Sequence, residues 1–245
     1  MKNKYVDRTG EKYVTNEGYT IEIIECVSAK NCTVLFKDKT KRYNIQYDKI
    51  KKEKVRNFNH KSVYGVGFVG IGKYGTLTYY KIYTTWKSML QRCYDSKFQE
   101  KNLTYKDVTV CEEWYDFQNF TEWFMENSTR GFALDKDILQ KGNKIYSSKT
   151  CCFVPSCINN LFVTNGNNRG EYPIGVNSSK NKFKAELKIN SKNIHLGVFD
   201  TPKEAFQAYK RAKEKHIKDM ADKWRDKITP KVYEAMYNYK VEITD

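Results

Sequence analysis

Histidine and proline are scarce in this chain, with three and four occurrences in 245 residues. The three histidines, His60, His195 and His216, leave residues 62–168 with none, so imidazole chemistry is excluded from the middle of the chain. No apolar run approaches the eighteen residues a membrane-spanning helix needs, which excludes that class of protein. The opening MKNKYVDRTGEKY lacks the apolar stretch of a secretory leader, and the chain is expected to stay in a cytoplasm. No CxxC pair occurs among the seven cysteines. Their odd number and irregular spacing fit reduced thiols better than a disulfide framework, and buried small hydrophobes better than structural zinc. Acidic residues are also the minority, 29 against 44 Lys and Arg, for a formal charge of +15.

What is present can build cores. A hydrophobic fraction of 40% with 15% aromatics is incompatible with a disordered basic tail. The charge is uneven: residues 1–61 carry a net +7, residues 62–169 a net +3 and residues 170–245 a net +5. Basic ends around a more neutral, aromatic centre suit a partner rich in phosphate, because each phosphate neutralised by Lys or Arg releases a condensed counterion. A solvated surface that serves solubility alone is the competing explanation.

The pattern divides into three modules, 1–61, 62–168 and 169–245, of α+β class. The first reads as a small, strongly bent sheet or barrel from Tyr19–Cys26, Cys32–Lys37 and Lys41–Tyr47, all rich in β-branched and aromatic residues. A basic exit segment with Lys49, Lys51, Lys52, Lys54 and Arg56 follows. Gly65, Gly67 and Gly70 form a lone GxGxxG, but no helix starts there, so the segment is expected to pack as a linker and not to bind a nucleotide. In the centre, Ile82, Trp86, Met89, Leu90 and Cys93, then Trp114, Phe117, Phe120 and Phe124, recur at helical spacing and are expected in the core. A strand over Phe132–Leu139, a loop, CCFVP and a short helix over Ser156–Phe162 complete a hairpin followed by a helix.

The last module is read from alternation. Phe183, Ala185, Leu187 and Ile189 alternate with Lys182, Lys184, Glu186 and Lys188, which gives one apolar and one mostly cationic face. Ile194, Leu196 and Val198 are expected to face the core, leaving Asn193 and His195 beside the lysines. Thr201, Pro202 and Glu204 form a capping box that opens a helix. Its stripe of Phe206, Tyr209, Ala212, Ile217, Met220 and Trp224 is expected to seal the sheet's apolar side. A three-stranded sheet of this kind fits the DNA major groove.

The framework IGV, KFKAELK, HLGVFDT and EAFQAY resembles the Apetala/ethylene-response-factor type DNA-binding domain over about forty residues from Gly175 to Ala212. The resemblance implies double-stranded DNA as partner. It places contacts at Asn177, Ser179, Glu186, Lys188, Asn193 and His195, and Lys180, Lys182 and Lys184 complete the cationic surface. Several of those contact positions hold Arg or Trp in the family and do not here. The stretches TTWKSMLQRCYD, VTVCEEWYDF, LDKDIL, GNKIYSSKTCCFVP and INNLF resemble the HNH endonuclease fold as found in bacteriophage proteins that pair it with such a DNA-binding domain. That resemblance implies a ββα unit gripping one divalent metal, Mg²⁺ or another. Asp135 and Asn160 (or Asn159) then stand as metal ligands, Lys136 at the position of the activating histidine, and Thr150 near the middle asparagine. The first module resembles the SH3-like domain found ahead of such nucleases.

Two readings of the carboxylates stay open. If strand alternation runs through them, Asp135 and Asp137 share a face with Lys136 on the other, and two oxygen ligands suit Mg²⁺. The same carboxylates can instead pair with Lys141, Lys144 or Lys149. Lys136, with an ordinary pKa of ~10.4, is a poor general base at neutral pH. The expectation is a phage DNA-binding protein in the host cytoplasm, a homing-type endonuclease hydrolysing phosphodiesters with Asp135, Lys136, Asp137 and Asn160 at its centre. The alternatives are a non-catalytic DNA-binding protein on a degenerate scaffold, and a phage factor whose partner is a host defence protein.

Overall fold

A computed structural model of the chain describes residues 6–163 and 171–244. The module boundary expected at 168/169 lies outside the described residues. The chain forms two compact units, residues 1–122 and 123–245. No described helix is long and apolar enough to cross a membrane.

The first unit opens with four antiparallel strands, β1 (Lys12–Val14), β2 (Thr20–Ser28), β3 (Asn31–Phe36) and β4 (Lys41–Ile45), in the order β1-β2-β3-β4. Of the bent sheet or barrel expected, the sheet is an open meander, and no closed barrel forms among the described residues. Ile21, Ile23, Val34, Phe36 and Ile45 line one side and close over Ile50 of helix α1 (Tyr47–Lys51). Cys26 and Cys32 are cross-strand neighbours and are joined as a disulfide, where the spacing had suggested thiols. Antiparallel pairing brings together two residues that look unrelated in sequence. Cys152 and Cys157 are free thiols.

The glycine segment does pack as a linker. A Cβ on Gly67 would stand 2.4 Å from Leu90 and 2.9 Å from Trp86, so only glycine lets the backbone lie against helix α2 (Tyr80–Tyr94). Gln118 of helix α4 (Phe117–Asn127) holds the same segment: its Oε1 accepts from the Tyr74 N–H, and its Nε2 donates to the Val69 and Tyr74 carbonyls. Helix α3 (Ser96–Lys101) and strand β5 (Thr109–Val110) lie between α2 and α4. The aromatic stripes are core: Trp86, Trp114, Phe117 and Phe120 are fully buried, and the Trp86 indole donates to the Trp114 carbonyl at 2.7 Å.

In the second unit, β6 (Phe132–Asp135) pairs antiparallel with β8 (Cys152–Pro155), the short β7 (Ile145–Tyr146) lies in the loop between, and one helical turn, α5 (Ser156–Asn159), follows. The sheet β11-β10-β9 comes next, from β9 (Val176–Ser179), β10 (Lys182–Ile189) and β11 (Lys192–Phe199), then α6 (Pro202–Trp224) and α7 (Pro230–Tyr237). Both bonds of the expected capping box are present, from the Glu204 N–H to Thr201 Oγ1 and from the Thr201 N–H to Glu204 Oε2.

At 23 residues, α6 is about 35 Å long, more than a three-stranded sheet can cover. Its first half, with Ala205, Phe206 and Tyr209, seals Val176, Ala185 and Leu187. Its second half leaves the sheet, contrary to the single stripe expected from sequence. Ile217, Met220, Ala221 and Trp224 pack with Ile138, Val154 and Ile158 of the ββα unit and with Val232 and Met236 of α7. One helix thus belongs to two cores. The C-terminal segment closes over it: Val241 is buried in the sheet's core, its N–H donates to Glu214, and its carbonyl accepts from Lys210.

Candidate nucleic-acid interface and hairpin site

Register fixes which side chains share the sheet's outer face. Lys184 stands opposite Asn177 on one side and Val198 on the other, Lys182 opposite Ser179, Glu186 opposite His195, and Lys188 opposite Asn193. Directly opposed residues of an antiparallel pair point the same way, so Asn177, Ser179, Asn193 and His195 do join the lysines. Lys180 sits in the β9–β10 turn, exposed, with φ +55°.

Val198 corrects the alternation. The register shifts opposite Ala185 and Glu186, where β11 holds Leu196 as an extra residue and Gly197 takes φ +134°. This bulge leaves Leu196 against the core but turns Val198 to the lysine face, 49% exposed. Ile194 keeps its inward side opposite Leu187 yet remains exposed.

The face is also less purely cationic than expected. Lys184 Nζ is 2.9 Å from Glu186 Oε1, and Glu186 Oε2 accepts from the Asn177 amide at 3.2 Å. Lys182 pairs with Asp200 at 2.8 Å, and this partner holds its ammonium pKa above the usual lysine value. Exposed pairs of this sort are worth about 0–1 kcal/mol, so a phosphate can replace Asp200 at little cost. Lys188 and Lys192 are exposed, with no ion pair among the described residues.

At the hairpin, the strand stops at Asp135. Its Oδ1 accepts the backbone N–H groups of Asp137 and Ile138, both at 2.8 Å, which bends the chain. Alternation therefore does not reach Asp137, and the expected shared face of Asp135 and Asp137 does not form. Asp137 instead takes Lys136 as its partner, through both carboxylate oxygens at 2.7 and 2.8 Å. Lys141, Lys144 and Lys149 are not its partners among the described residues. The Lys136 ammonium also donates to the Asn143 carbonyl at 2.8 Å and is buried. Asn143 completes the knot, donating to the Lys136 and Ile145 carbonyls and accepting from the Ile145 N–H. Thr150 donates to the Ile145 carbonyl.

Burial pushes the Asp135 carboxyl above its ordinary value against the pull of its two N–H donors, and burial, aided by the Asp135 carboxylate opposite, raises the Cys152 thiol. Asn159 is half-buried and Asn160 exposed, and no described hydrogen bond joins either side chain to Asp135.

These donors do not fit a divalent ion. Both Asp137 oxygens are taken by an ammonium, one Asp135 oxygen is taken by two N–H groups, and a dication beside buried Lys136 meets like charge. Among the described residues, no three His, Cys, Asp or Glu side chains converge on one point. Lys136 acts here as a staple for the loop. Lys136→Met, which leaves the Asn143 carbonyl without its donor, is expected to lower stability by about 1–3 kcal/mol, and wild-type melting is expected to be the same in EDTA and in Mg²⁺. Denaturant unfolding and thermal melting of the full chain check both.

Compared with family models, curated proteins and solved structures, the chain matches none. Asn143 escaped the sequence reading, and Val198, expected in the core, lies on the outer face. Asn143 had a signal in the turn-forming Gly142-Asn143, whereas Val198 depends on a bulge that alternation cannot register.

Proposed function

We propose that this chain binds double-stranded DNA through the outer face of β9–β11, with the ββα unit serving as a scaffold and not as a nuclease centre. The observation that carries the DNA reading is a sheet sealed on one side by α6 and presenting Lys182, Lys184 and Lys188 on the other, with exposed Lys180 at the β9–β10 turn. The major groove admits β-structure, and the chain's +15 charge favours encounter with a polyanion.

The scaffold reading rests on Lys136. A nuclease of the type the sequence resembles needs a water-activating base and a metal-binding pair at this place. Here a buried ammonium holds Asp137 and the loop backbone instead. The half-buried Asp135 carboxyl, its pKa raised by desolvation, is a feature that favours an endonuclease.

The test is incubation of the full chain with supercoiled plasmid in Mg²⁺ or Mn²⁺, with a gel-shift series on the same DNA. The expected result is retarded DNA with intact supercoils. Nicking that disappears in Asp135→Ala would restore the endonuclease, and no retardation at low salt would sink DNA binding.

A further inference from the structure

The outer face of the sheet is graded, and the grading has a function. At the two ends of β10 stand Lys182 and Lys188, six residues apart and so about 20 Å along the strand. Lys180 extends the Lys182 end. Between Lys182 and Lys188 lie Asn177, Lys184, Glu186, His195 and Val198, a patch with one carboxylate, one amide, one ammonium, one imidazole and one apolar group. A face built only to hold phosphates has no use for a central carboxylate, which repels them. Glu186 is nevertheless held in place from two sides, by Lys184 at 2.9 Å and Asn177 at 3.2 Å. Its side chain is 21% exposed, so it is neither sealed in the core nor swinging in solvent.

The dimensions match a duplex. The major groove is about 12 Å wide, so a strand with cations about 20 Å apart lays them on the two phosphate walls and suspends its centre over base edges. There a carboxylate can accept from the amino group of cytosine, and an exposed valine can meet the methyl of thymine. Val198 stands one strand over from Lys184, brought outward by the bulge at Leu196–Gly197.

We propose that Glu186 and Val198 are base-reading residues, with Asn177 and Lys184 positioning the carboxylate, while Lys182 and Lys188 contact phosphates. This assignment rests on the DNA-binding reading above and adds a division of labour to it.

The experiment selects duplexes bound by the full-length wild-type chain from a randomised library. It repeats the selection with Glu186→Gln and Val198→Ala, and then replaces thymine by uracil in the selected site. Wild type is expected to enrich a site containing cytosine and thymine, and removing the thymine methyl is expected to weaken binding about fourfold, the value of one buried methyl-sized group. Val198→Ala is expected to abolish that thymine–uracil difference. Glu186→Gln is expected to change the preferred base at one position while leaving the salt dependence unchanged.

If Glu186→Gln instead strengthens binding to every duplex equally, Glu186 is only a charge brake and the assignment is overturned. An unchanged thymine–uracil ratio in Val198→Ala overturns the valine part. If wild type retains no duplex even at low salt, the DNA-binding reading itself fails, a result distinct from binding without base preference. Both substitutions lie on the exposed face, so thermal melting is expected to match wild type.

Discussion

Gly175→Ala is expected to destabilise the second unit by about 2–5 kcal/mol. Two costs combine. Gly175 has φ +78°, where a Cβ is disfavoured by about 1–2 kcal/mol. The added Cβ would also stand 2.0 Å from Cδ2 of Tyr209, a buried ring in the sheet's core, and overpacking of this kind costs roughly 1–3 kcal/mol. Gly131 separates the two terms, since its φ is +85° with nothing within 4 Å of a built Cβ. Gly131→Ala is expected to cost only the backbone share. Equal melting shifts for the two variants would contradict the close packing of Gly175 on Tyr209.

The joint replacement Lys182→Glu/Lys188→Glu is expected to reduce duplex affinity roughly 100-fold at low salt and to lower the slope of log K against log salt by about 1.8, the loss of two phosphate contacts. Both side chains are exposed, so the melting temperature should hold. The Lys182–Asp200 pair does not blunt this effect, because an exposed pair is worth about 0–1 kcal/mol. Titration by fluorescence anisotropy measures affinity and slope together. An unchanged slope would place the phosphate contacts elsewhere, with the basic exit segment from Lys49 to Arg56 the next surface to alter.

The sheet module was legible in the sequence because its signals agree. Alternation in β10, the capping box at Thr201 and the stripe at Phe206 and Tyr209 each specify the same packing, and each is present. The helices of the first unit were legible for the same reason, through spacings of three and four around Trp86 and Phe120.

What was not legible depends on contacts that no local pattern encodes. A period of 3.6 shows that Ile217 and Trp224 turn toward a core but not that their neighbours are Ile138 and Phe132 instead of the sheet. A period of two carries through Val198 and Asp137 in sequence, yet a bulge intervenes before the first, and two N–H bonds to Asp135 intervene before the second. At the hairpin the residue types did suggest a site. Their pairing, an ammonium between a carboxylate and a carbonyl, is set by the return of the loop at Asn143 and was not in the spacing. The Cys26–Cys32 link likewise follows from strand register.

Photocrosslinking of the full chain to a bromouracil-substituted duplex, with the crosslinked peptides identified by mass spectrometry, tests the central claim most directly. The account predicts adducts on the stretch from Val176 to Phe199, concentrated on residues of the outer face such as Asn177 and Val198. Adducts confined to the first unit, with the sheet unlabelled, would contradict it.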